Sequence, residues 1–116
     1  MDYPVALVQG IYFFITGIWP ILSIQTFLLV TGPKTDIWLV KTVGIVLATI
    51  GATLVFAQLN AQVNSPVIFL AIGSALSLTV VEVIYVAKRV ISPIYLGDAL
   101  VELVLIGWWA ISLFFT

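Results

Sequence analysis

Cysteine and histidine are both absent from the chain. Without cysteine there is no disulfide, thiolate metal centre or thiol redox chemistry. Without histidine the commonest metal ligand and the usual proton shuttle near neutral pH are missing as well, so neither a metal nor a cofactor is expected. Charge is almost as scarce, at 8% of residues against about a quarter in an ordinary soluble domain. A net charge of −1 leaves no basic surface for nucleic acid. The opening Met1-Asp2-Tyr3-Pro4 lacks the positive stretch of a secretory signal peptide, so the first apolar run is expected to stay as a span.

What the chain does have is hydrocarbon: 63% of its 116 residues are hydrophobic. A soluble domain of this size buries only part of the surface that its unfolded chain exposes, too little to hide so much apolar side chain. A bilayer removes that difficulty, because four spans of about 20 residues use roughly 80 and leave only short connections. The reading is therefore an all-α integral membrane protein, an antiparallel bundle of four transmembrane helices in one domain, with spans at 4–30, 37–58, 67–87 and 94–115. Pro20 lies inside the first run and predicts a kink around Thr16 to Pro20, since proline removes a backbone hydrogen bond. The runs are separated by Thr31-Gly32-Pro33-Lys34-Thr35-Asp36, by an uncharged polar stretch from Leu59 to Pro66, and by Lys88-Arg89 followed by Ser92-Pro93. Gly32-Pro33-Lys34-Thr35 has the look of a phosphate-loop ending, but without the upstream glycine it is read as a turn.

Of the four basic and five acidic residues, all but Asp2 fall between Lys34 and Lys41 or between Glu82 and Glu102. The first and third connections thus hold all the basic charge and the second holds none. By the positive-inside rule the charged connections are cytoplasmic and both termini lie outside the cytoplasm, in a multi-pass protein of a bacterial inner membrane. Trp38, Tyr85 and Tyr95 fall near the charged boundary and Tyr3 near the opposite one, as amphipathic rings do.

Helical periodicity of about 100° per residue puts Tyr95, Asp98, Glu102, Leu105, Trp109 and Ser112 on one stripe of the fourth span. The third span aligns Ala71, Ser74, Leu78, Glu82, Tyr85 and Arg89. On the second, Gly44, Ala48 and Ala52 share a small-residue face beside Lys41, suited to close helix packing within a subunit or in a homo-oligomer. Gln9, Thr16 and Ser23 recur at seven-residue intervals on the first. Trp108 and Trp109 point to different faces, so at least one is expected to meet lipid.

Glu102 is the leading site candidate. It lies nine residues past Pro93, on the order of 13 Å along a helix, with Asp98 one turn nearer the surface. Glu82 precedes Lys88 by six residues, and Lys41 follows Asp36 by five. A carboxylate at such a position costs about 2.5–3.5 kcal/mol or more on insertion scales, so it must pair, hold a proton or face water. Three readings follow. Lys41 could pair with Glu102 or Asp98, and Arg89 with Glu82, in a salt-bridge network that also draws on Asp36 and suits a structural or accessory subunit. Alternatively, Glu102, Asp98 and Glu82 form a cytoplasm-facing acidic cavity that handles a proton, a small cation or an amphipathic solute. In the third, the same acids serve as general acid and base on a lipid-like or terpenoid substrate, an isomerase or cyclase with Tyr95 and Trp109 as aromatic walls.

The run from Thr31 through Lys41 to Gly44, with Ile91-Ser92-Pro93-Ile94-Tyr95-Leu96-Gly97-Asp98 later, resembles a group of small four-span bacterial membrane proteins. The resemblance implies fold and membrane location and transfers no catalytic residue. The size is similar to that of the small multidrug transporters and the dual-topology fluoride channels. The former, however, carry an essential glutamate in the first span, where this chain has only Gln9, Thr16 and Ser23. The latter use another polar pattern and lack the basic asymmetry seen here.

Overall fold

The computed structural model describes residues 3–115. Among these the secondary structure is entirely helical: α1 Pro4–Leu22, α2 Ile24–Thr31, α3 Ile37–Leu59, α4 Ser65–Ala87 and α5 Tyr95–Phe114. All but α2 are long and apolar enough to cross a membrane. The chain divides into two compact units, Met1–Asn64 and Ser65–Thr116.

In the first unit α1 packs along α3 in an antiparallel register built on glycine. Gly10 lies against Gly51, and Gly17 against Gly44. The backbones come so close that a Cβ on Gly51 would sit 2.5 Å from the Gly10 carbonyl oxygen and 2.5 Å from the Phe14 nitrogen. A Cβ on Gly44 would sit 2.5 Å from the Gly17 carbonyl oxygen. The contacts are reciprocal: the Cα hydrogen of each glycine points at the carbonyl of the glycine opposite, a weak hydrogen bond worth about 0.5–1 kcal/mol. One further step of seven residues brings Tyr3 opposite Gln58, whose Oε1 accepts from the Tyr3 backbone N–H at 3.0 Å and caps the start of α1. Three layers at seven-residue spacing on both helices give the 3.5-residue periodicity of a left-handed supercoil.

That periodicity changes the expected packing face of α3. Gly44 and Ala48 are buried in it, but the next contact falls at Gly51, and Ala52 is exposed. A face that advances by four and then three residues stays on the seam, whereas two steps of four drift off it.

Beyond the kink expected around Thr16 to Pro20, the first apolar run is broken outright further along. Helix α1 runs through Pro20 and ends at Leu22, and Ser23 breaks the chain with φ −150° and ψ 83°. Thr16, which loses its backbone donor to the proline, donates its hydroxyl to the Tyr12 carbonyl oxygen at 2.8 Å. The position of the break follows from length. The glycine register carried one step further sets Ile24 opposite Ile37, the first residue of α3, so α2 lies beyond the end of its neighbour. Continuous helix from Pro4 to Thr31 would measure about 40 Å, well past a hydrocarbon core of about 30 Å. At the break the Trp19 indole N–H donates to Thr26 Oγ1 at 2.9 Å, and the Trp19 and Phe27 rings meet edge to face. Lys34 Nζ then donates to Thr31 Oγ1 at 2.8 Å and to the Gly32 carbonyl at 3.2 Å, placing a cation at the negative end of α2.

In the second unit α4 and α5 pack along each other as a hairpin. Helices α3 and α4 end in the same way. The Gln62 N–H reaches back to the Ala57 carbonyl at 2.8 Å with Ala61 at φ 54°, and the Val90 N–H to the Tyr85 carbonyl at 2.9 Å with Arg89 at φ 61°. Both are Schellman caps with a side chain where glycine is usual.

Candidate functional site

The α4–α5 hairpin carries three acids. Glu82 lies five residues before the end of α4, Asp98 in the first turn of α5, and Glu102 one turn further on. Because the helices are joined by the short stretch 88–94, Glu82 and Glu102 come to comparable depths, about 8 Å and 10 Å from the turn. Glu82 closes the buried stripe of α4, which runs Ala71, Ala75, Thr79, Glu82. Glu102 belongs to the buried stripe of α5, with Ala99, Leu105 and Trp109.

The side chains of Glu82 and Asp98 lie within hydrogen-bonding reach of each other, and Glu102 stands within electrostatic reach of both. A hydrogen bond between two carboxyl groups needs an O–H on one of them. Glu102 is exposed to only 1% and Glu82 to 6%. Glu82 Oε1 and Glu102 Oε2 have no hydrogen-bond partner. Each is an acceptor withdrawn from water and left unfilled, a costly arrangement in a protein interior.

No basic side chain fills the two open glutamate oxygens. Arg89 is exposed in the cap of α4, and Glu82 bonds Asp98 where an ion pair with Arg89 was expected. Lys88 is exposed, with its ammonium 5.8 Å from the centre of the Tyr85 ring. On α3, Lys41 is exposed and has no acidic partner among the described residues; Asp36, just before that helix, is exposed too and makes no side-chain cap. Of the aromatic candidates, Tyr95 is half-buried, Trp109 is fully buried, and Trp108 is turned to the exposed side of α5. Among the described residues no group of three acids has the arrangement that could hold a metal ion.

Two features escaped the sequence reading. The Glu82–Asp98 pair was masked by the nearer Arg89, although distance from the hairpin turn, five residues on one side and three on the other, points to it. The glycine register was masked by the four-residue spacing of Gly44, Ala48 and Ala52. Its signal is the equal seven-residue interval in Gly10–Gly17 and Gly44–Gly51. No protein-family model, curated protein or solved structure matches the chain.

Proposed function

We propose that this chain is a small integral membrane protein whose α4–α5 hairpin handles a proton, a small cation or an amphipathic solute at a buried acidic site. The observation that carries the reading is Glu102 beside the Glu82–Asp98 carboxyl pair, with both glutamates buried and one carboxyl oxygen of each left without a hydrogen-bond partner. In hydrocarbon an acid is retained where it pairs, exchanges a proton or meets a cation, and for the free oxygens of Glu82 and Glu102 no lysine or arginine of the hairpin supplies the pair. Lys88 and Arg89 at the hairpin turn favour a cytoplasmic location for the nearby acids. The exposed apolar side chains of the long helices, Phe69 and Phe114 among them, suit contact with lipid.

Purified protein in liposomes carrying an internal pH-sensitive dye tests this. After an acid pulse, the wild-type protein is expected to carry protons or a co-supplied cation across the bilayer, and Glu102→Gln is expected to lose that flux. Equal flux from wild type and variant overturns the reading. Turnover of a lipid-like substrate that is abolished by Asp98→Asn would favour acid–base catalysis in its place.

A further inference from the structure

The Glu82–Asp98 pair and Glu102 differ in what they still require. In the pair, each carboxyl group has the other within hydrogen-bonding reach. Glu102 is nine-tenths buried and more, next to that pair, and its Oε2 receives no donor; Glu82 Oε1 is in the same position on the facing helix. Two unfilled acceptors on two helices, at similar depth, call for a group that donates hydrogen bonds in more than one direction and brings positive charge. A metal ion needs several oxygen ligands gathered around one point, and among the described residues no group of three acids is so gathered. A quaternary ammonium has the charge but no N–H. A primary ammonium has both, with three donors on a single centre, and charge-assisted hydrogen bonds of this kind are the strong ones.

We infer that the hairpin binds a primary ammonium group, with Glu82 Oε1 and Glu102 Oε2 as its acceptors. The inference rests on the reading of the hairpin as a cation-handling site and names the chemistry of the cation. The group can arrive on a free alkylamine or on an aminophospholipid headgroup of the surrounding bilayer.

The test uses the full chain in phosphatidylcholine nanodiscs, titrated with octylammonium and, separately, with octyltrimethylammonium, which has the same tail and charge but no N–H. Tryptophan fluorescence reports binding, since Trp109 lies on the same stripe as Glu102. Octylammonium is expected to bind at least about ten-fold tighter than its quaternary counterpart, as two added charge-assisted bonds imply. That ratio is expected to fall toward one in Glu102→Gln and, should that variant not fold, in Glu82→Gln. Repeating the titration with phosphatidylethanolamine in the disc separates the two sources: competition identifies the headgroup as a ligand, and its absence assigns the site to free amines. Equal affinity of the two probes in wild type, or a ratio unchanged in both variants, overturns the inference. If liposome flux still depends on Glu102 in that event, the broader acidic-site reading stands. If flux is also unaffected, both fall.

Discussion

A carboxyl group at position 82 can both hydrogen-bond Asp98 and exchange a proton, and substitution can separate those roles. In Glu82→Gln the amide N–H still donates to Asp98, so the hairpin keeps its contact but loses a group that can release a proton. Thermal unfolding in detergent is expected to change little, while proton or cation flux in liposomes is lost. Glu82→Leu removes the donor altogether and strands a polar partner, which costs about 1–3 kcal/mol; its unfolding midpoint should drop below that of Glu82→Gln. If the two variants unfold alike, the Glu82–Asp98 bond contributes nothing to the hairpin. Backbone geometry at single residues can be tested as well. Ala61 holds φ 54° in the cap of α3, a conformation that penalises a Cβ and suits glycine, so Ala61→Gly is expected to stabilise the protein by about 1 kcal/mol. The acids themselves were legible in the sequence because charge is so rare there. Their pairing was not, because it depends on how far each lies from a turn whose cap, at Arg89, uses no glycine to announce itself.

The helices differ sharply in how they use glycine. Gly10, Gly17, Gly44 and Gly51 each face backbone across the α1–α3 seam, whereas a Cβ on Gly73, Gly97 or Gly107 would meet nothing within 4 Å. Adding a methyl group in the first set forces the helices apart, and overpacking of this kind costs about 1–3 kcal/mol. In the second set the same change gains helix propensity, up to about 1 kcal/mol. Gly17→Ala and Gly44→Ala are therefore expected to lower the unfolding midpoint, and Gly107→Ala to leave it unchanged or raise it. A uniform response across the two sets would mean that α1 and α3 do not meet at these glycines. The existence of the long helices could be read from apolar runs, and their ends only in part. Pro20 suggested the break that Ser23 makes, because the limit on α1 is set by where α3 begins, a fact of pairing that no window along α1 contains.

For the whole molecule, the decisive question is whether the four long helices cross a bilayer, and the lack of cysteine makes it answerable. Any single cysteine placed in the chain is the only thiol present, so its reaction with a membrane-impermeant maleimide reports one position alone. Composition supports four crossings, since each of α1, α3, α4 and α5 has the length and apolarity that a span requires. The distribution of lysine and arginine then assigns sides: Lys34 and Lys41 flank the connection before α3, Lys88 and Arg89 lie before α5, and the stretch between α3 and α4 has no charge at all. Asn64→Cys is thus expected to react in intact cells. Pro33→Cys and Ser92→Cys are expected to react only after the membrane is opened. Labelling of Ser92→Cys in intact cells would move the Glu82–Asp98 pair to the outer end of its helices and open it to the external medium. Opposite labelling of Pro33→Cys and Ser92→Cys would be incompatible with four crossings, because an even number of spans between two connections returns the chain to the side it left.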